Sequence, residues 1–170
     1  MTVRLARPEE PELLPDIEDA AGALFAEAGM TEISGNSAMS ADTHRQALGR
    51  GELWVAVDAE DHPVGFVHVE QRDGCAFIKE LSVHPSHGRR GLGRELIETV
   101  ATWAKAKGLP AVTLTTFRDV AWNGPFYRRV GFRDLRDDEI TPMLQAVRDN
   151  ERQAGIDRAG ARVCMRRELF

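Results

Sequence analysis

The sequence predicts a mixed α/β fold, a mostly antiparallel central sheet flanked by helices, and two patterns decide it. Three apolar segments, Leu53–Asp58, Val64–Gln71 and Cys75–Val83, follow one another with only Asp61-His62-Pro63 and Asp73-Gly74 marking the turns. Short polar connections make antiparallel hairpins, because parallel neighbours need a long crossover. The third segment is followed by Leu92, Leu96, Val100 and Trp103, spaced four, four and three apart, and then by Thr-rich Ala111–Phe117. Strand, helix, strand in that order is a right-handed βαβ unit, which sets Ala111–Phe117 beside Cys75–Val83.

The remaining elements follow from local chemistry. Val3–Ala6, with Pro8 after it, is predicted as an edge strand. Ile17, Ala20, Ala21, Leu24, Phe25 and Ala28 recur at three- and four-residue intervals and Gly29 ends that helix. A second helix covers Ala41–Leu48, capped by Ser40 or Asp42 and closed by Gly49 and Gly51. Gly108 and Pro110 stop the helix that opens at Gly91. Asn123 is placed to cap a further helix with Pro125 in its first turn and Gly131 beyond its end. Phe132–Leu135 resumes as strand, Thr141-Pro142 starts a last helix, and Ala161–Leu169 alternates Val163, Met165 and Leu169 as a closing strand.

At 170 residues and 42% hydrophobic content the chain is expected to form a single domain, residues 1–170, with a softer point near Leu135–Ile140. A net charge of −5 opposes general affinity for a nucleic-acid backbone. The two cysteines, Cys75 and Cys164, lack neighbours at metal-ligand or disulfide-framework spacing, and the two loop histidines His84 and His87 lack a third ligand, so no metal is expected. Neither a secretory signal nor a bilayer-length apolar run is present, which makes the expected location cytoplasmic, with no membrane partner. An exposed edge strand leaves room for a homodimer. The acidic run Glu9, Glu10, Glu12, Asp16, Glu18 and Asp19 reads as a solvated face, with attraction of a cationic amine as the alternative.

The most informative stretch is Leu81-Ser82-Val83-His84-Pro85-Ser86-His87-Gly88-Arg89-Arg90-Gly91-Leu92-Gly93-Arg94, a strand, a basic glycine-containing loop and a helix start. A helix N-terminus offers unpaired N–H groups and partial positive charge to phosphate oxygens. Gly91 and Gly93 remove obstructing side chains, while Arg89, Arg90 and Arg94 add charged donors suited to a pyrophosphate. Neither the dinucleotide fingerprint nor the P-loop spacing is present. The alternative is an ordinary glycine turn beside a basic helix start.

Val83-His84-Pro85 with Gly91-Leu92-Gly93, and downstream Asn123, Tyr127 and Gly131-Phe132, resemble the two motifs of the GNAT superfamily of N-acetyltransferases. The resemblance covers about residues 75–132 and departs from the pattern at Gly88, where Gln or Arg is usual. It implies acetyl-CoA as co-substrate, a splayed central strand pair, and backbone of Leu81, Ser82 and Val83 binding the pantetheine arm and polarising the thioester. It further implies pyrophosphate held by Gly88, Arg89, Arg90, Gly91, Leu92, Gly93 and Arg94, a cofactor contact from Asn123, and Tyr127 as general acid. A phenol is a suitable proton source for a departing thiolate, the alternative being that Tyr127 only packs under the sheet with Phe126. Glu80, on the strand before the loop, is the candidate base for an ammonium acceptor, the alternative being a strand Glu held by a nearby Arg. The implied activity is direct acetyl transfer to a primary amine of a small molecule or peptide. A non-catalytic acyl-CoA-binding module and a modifier of a protein acceptor are the alternatives. His68 on its strand is either an acceptor-site base or a histidine with a structural partner.

Overall fold

The computed structural model describes residues 2–30 and 38–170. The strands are β1 (Thr2–Leu5), β2 (Leu53–Val57), β3 (Pro63–Arg72), β4 (Cys75–Val83), β5 (Ala111–Phe117), β6 (Arg133–Asp134) and β7 (Arg162–Glu168). The helices are α1 (Leu14–Glu27), α2 (Ala41–Gly49), α3 (Leu92–Ala106), α4 (Gly124–Arg129) and α5 (Pro142–Gln153). The strand order is β1-β2-β3-β4-β5-β7-β6, with β1 on the predicted edge. The chain divides into two compact units, Met1–Glu70 with Ile78–Trp103, and Gln71–Phe77 with Ala104–Phe170.

In the first unit, β1 pairs antiparallel with β2 and β2 with β3, so that Leu53 faces His68 and Val55 faces Phe66. Leu53, Val55, Val57 and Phe66 bury one sheet face against Leu14 and Ile17 of α1 and Ala47 of α2. Of the rest of the predicted stripe, Ala20, Ala21, Leu24 and Phe25 are only half-buried and Ala28 is exposed. Ser40 caps α2 by accepting from Thr43 N at 3.2 Å. Asp42, the other candidate cap, pairs instead with Arg45. Leu92, Leu96 and Val100 of α3 are buried as the stripe requires, and Trp103 meets Trp54 edge-to-face at 5.3 Å.

The acidic run is not uniformly a solvated face. Glu10 is 4% exposed and takes two hydrogen bonds from Arg4, at 3.0 and 2.7 Å, and one from Arg7 N at 2.7 Å. Burial works against its charge, but the Arg4 guanidinium and that backbone donor hold the carboxyl below its ordinary range. Glu18 accepts from Met39 N. Periodicity reports which residues face inward and carries no information about which polar side chain a guanidinium will pair with.

In the second unit, the parallel β4–β5 ladder runs over Ala76↔Val112 and Phe77↔Thr113, while β5 pairs antiparallel with β7 from Ala111↔Glu168 to Phe117↔Arg162. β7 also pairs with β6, so the last strand inserts between β5 and β6. Thr141 caps α5 through Leu144 N, and Leu144 packs with Phe77 and Cys164. Behind them Arg148 bridges Glu151 and Asp157, and Glu151 also accepts from Thr115 and Arg162.

Gly124 has a steric requirement. A Cβ there would lie 2.3 Å from Arg118 O and 3.0 Å from Phe117 O, both backbone atoms. Gly124→Ala is expected to cost about 3 kcal/mol by overpacking, equivalent to a fall of roughly 6–12 °C in melting temperature for a chain of this size. Calorimetric melting checks it; an unchanged Tm refutes the close approach.

Candidate active site

The loop after β4 is held by backbone bonds at its start. His84 N donates to Val64 O at 2.8 Å, His87 N to His84 O, and Gly88 N to Pro85 O at 3.1 Å. His84 and His87 both engage Ser86, as loop residues do, and no group of three His, Cys, Asp or Glu suited to a metal occurs among the described residues. Arg89 adopts φ +61° and Gly91 φ +81°, so two left-handed residues turn the chain into α3. For Gly91 this is the reason for glycine, since nothing lies within 4 Å of where its Cβ would be.

The first α-helical bond from this loop is Glu95 N to Gly91 O, at 3.0 Å. The N–H groups of Leu92, Gly93 and Arg94 therefore precede the helical ladder. Arg89, Arg90 and Arg94 are exposed, and none makes a hydrogen bond or ion pair within the described residues. Other guanidiniums are held in pairs, among them Arg4 with Glu10, Arg128 with Asp134 and Arg148 with Asp157. Three free guanidiniums around a glycine-led helix start have the charge and the donors that suit a polyanionic group such as the pyrophosphate of a coenzyme A.

Just before the loop, Ser82 is buried and its hydroxyl donates to Glu80 Oε1 at 2.9 Å. The structure thus brings Glu80 and Ser82 together on one face of β4, as alternation predicts. Gly65 of β3 lies so close to this segment that a Cβ would sit 3.1 Å from Ser82 O.

The downstream candidates lie in the second unit. Tyr127 is buried, its ring edge-to-face with Phe126 at 5.2 Å and Phe132 at 5.5 Å. Its backbone is pinned on both sides, Tyr127 N donating to Asn123 O and Phe132 N to Tyr127 O. The spacing Asn123, Tyr127, Phe132 is therefore that of one short helix and its exit. Asn123 corrects the sequence expectation: it stands at the N-cap position but its side chain makes no cap hydrogen bond. Nδ2 donates to Trp122 O at 3.2 Å, and Oδ1 is buried with no partner among the described residues. Its φ and ψ, −116° and −113°, depart from the extended backbone of the capping residues Ser40 and Thr141.

Sequence reasoning missed one polar cluster. His44 and His68 are both fully buried, with Nδ1 atoms 3.0 Å apart. Burial pushes both imidazoles down to about 4, with Lys79 adding to the effect at both and His44 adding to it at His68. His68 thus has the structural partner that was one of its two readings. His44 sits on a helix and His68 on a strand 24 residues later, a pairing that no local pattern announces.

The family model described as Acetyltransferase (GNAT) family matches residues 16–132. Similar solved structures include a GNAT-family acetyltransferase from Staphylococcus aureus Mu50, with 14% identity over 99% of both chains and a TM-score of 0.67. The PaiA N-acetyltransferase of Thermoplasma acidophilum, solved with coenzyme A, has 16% identity over 98% of both chains and a TM-score of 0.67. The ribosomal-protein-S18-alanine N-acetyltransferase of Escherichia coli has 16% identity, covers 99% of this chain and 93% of its own, and has a TM-score of 0.66. With the sheet order, the glycine-led start of α3 and the Tyr127 segment in place, and the family model spanning more than half of the sequence, the chain belongs to the GNAT family of acetyltransferases.

Proposed function

We propose that the chain is an acetyl-CoA-dependent N-acetyltransferase, a single catalytic domain acting directly on a primary amine of a small molecule or peptide. The observation that carries this reading is the set of free guanidiniums, Arg89, Arg90 and Arg94, around the glycine-led start of α3. In it Gly88–Arg94 hold the pyrophosphate, the backbone of Leu81, Ser82 and Val83 receives the pantetheine arm and the developing oxyanion, and Asn123 Oδ1 accepts from the cofactor. The E. coli relative, named for an alanine of a ribosomal protein, supports an amine acceptor. Free thiols at Cys75 and Cys164 suit the cytoplasm.

Acetyl-CoA supplies the activated thioester. Glu80, oriented by the Ser82 hydroxyl, takes the proton of the acceptor ammonium directly or through water. Backbone N–H groups of β4 are fixed before the reaction begins, so charge on the carbonyl oxygen is met without reorganisation. Tyr127, fixed by its ring contacts, gives its phenolic proton to the leaving sulfur.

Calorimetric titration with acetyl-CoA, coenzyme A and a free adenine nucleotide tests the cofactor. One-site binding that needs the pantetheine arm is expected, followed by thiol release in an amine screen; absence of binding overturns the reading. Gly91→Val is expected to weaken acetyl-CoA binding by about tenfold or more, because its left-handed φ and the approach of a phosphate both exclude a branched side chain. Unchanged affinity in a folded variant would remove this loop from the cofactor site.

A further inference from the structure

A second place for chemistry lies wholly in the second unit. A cavity of about 210 Å³ is lined by Cys75, Thr113 and Arg166, with Leu135, Met143 and Leu144 as apolar wall. The sheet explains the convergence: Phe77 stands opposite Thr113, Thr113 opposite Arg166, and Arg166 opposite Arg133. Cys75, two residues before Phe77, shares that face. Along β4 it precedes Ser82 by seven positions, so it stands at the other end of the strand from the proposed cofactor segment.

Two features separate Cys75 from an inert core thiol. Arg166 Nη1 donates to Cys75 Sγ at 3.4 Å, placing a fixed cation on the sulfur. Thr113 is 4% exposed, and its hydroxyl oxygen is buried with no partner among the described residues. The charged groups of the wall are already engaged: Arg133 with Glu139, Arg166 with Glu168, and Asp73 with the Thr141 hydroxyl. A charged ligand would have to break one of those pairs, whereas a neutral one can take the orphan Thr113 hydroxyl. Cys164 provides the contrast: both cysteines are buried, but Cys164 packs into the cluster with Phe77 and Leu144 and does not line the cavity, and burial pushes its thiol up.

We propose that Cys75 is a thiol–disulfide exchange site for small, uncharged aliphatic disulfides carrying a hydrogen-bonding group. The Cys75 sulfur attacks one sulfur of R–S–S–R, a Cys75–S–S–R bond forms as the R–S–S–R bond breaks, and the proton of the Cys75 thiol ends on the departing RS⁻. The disulfide itself is the oxidant. Arg166 stabilises negative charge on the attacking sulfur, and Thr113 hydrogen-bonds the incoming R group.

The test exposes the native full chain to oxidised mercaptoethanol, with cystamine and dithiodiglycolate as cationic and anionic comparisons, and follows intact mass and peptide maps with time. Cys75 is expected to gain one mercaptoethanol adduct at least about tenfold faster than Cys164, and the neutral disulfide to react fastest. Arg166→Met is expected to slow the reaction about threefold or more, and Thr113→Val to slow it by a similar factor. Arg166→Lys, which keeps the cation without the planar donor, serves where Arg166→Met does not fold, and an intermediate rate is expected. Equal rates at the two cysteines, no adduct on the native protein, faster reaction with a charged disulfide, or insensitivity to Arg166 would each overturn the proposal.

Discussion

Tyr127→Phe is expected to lower turnover roughly 10²-fold or more while leaving acetyl-CoA affinity nearly unchanged, the mark of a lost proton donor. The substitution removes one oxygen and keeps the ring that packs on Phe126 and Phe132, so the fold of α4 and its exit should survive. Steady-state turnover and calorimetric binding on the same preparation separate the two effects. If turnover is retained across the pH range, Tyr127 is a packing residue and another group protonates the thiolate. Glu80→Gln bears on the other proton: a loss largest at low pH, where the acceptor ammonium most needs a base, is the expected profile.

The second large effect is on stability. His44 and His68 titrate near 4 in the folded state and near 6.5 when unfolded. The native protein therefore binds fewer protons than the unfolded chain between those values. Stability from the neutral pair is fully present above about pH 6.5 and is lost as pH falls toward 4. Each imidazole is worth on the order of 2–3 kcal/mol across that window, from about 1.4 kcal/mol per pKa unit with allowance for relaxation. Urea unfolding at pH 7.5 and pH 5 should show this loss. His44→Phe combined with His68→Leu should flatten it, since Glu10, Glu139, Glu151 and Asp157, all held below their ordinary range, keep their stabilising contribution through this window and lose it only at lower pH. A wild-type chain equally stable at both pH values would contradict the buried neutral pair.

The pair also determines its own tautomers. With Nδ1 facing Nδ1, one ring must donate and the other accept, so one Nε2 carries a proton and the other is bare. The carboxylate of Glu70, 3.8 Å from His68 Nε2, favours the proton there. Glu70 is in turn bridged by Lys79 at 2.9 Å, which closes the polar cluster on the sheet face. Two imidazoles in a core are tolerated because each satisfies the other at one nitrogen, not because either is charged.

The turn from β4 into α3 was legible because its determinants are local. A strand, two left-handed residues and a helix start follow within a few positions, and glycine at 91 is demanded by φ. The same holds for Ser40 and Thr141, whose caps act on donors three residues ahead. Asn123 shows the limit. Its residue type and position promise a cap, yet its backbone angles differ from those of a capping residue and its side chain makes no cap bond to α4.

Sequence by itself determined the strands, the helices, the antiparallel hairpins and the βαβ crossover, because periodicity, turn residues and caps act over fewer than about twenty residues. It also determined the family, through Val83-His84-Pro85, Gly91-Leu92-Gly93 and the Tyr127 segment. Only the tertiary structure decided that β7 enters between β5 and β6, that Arg4 buries Glu10, that His44 meets His68, and that Cys75, Thr113 and Arg166 meet around one cavity. These depend on which strand lies beside which and on side-chain partners that periodicity does not specify, six residues apart for Arg4 and Glu10 and 24 for His44 and His68, and a register set by packing leaves no periodic trace in the segments it joins.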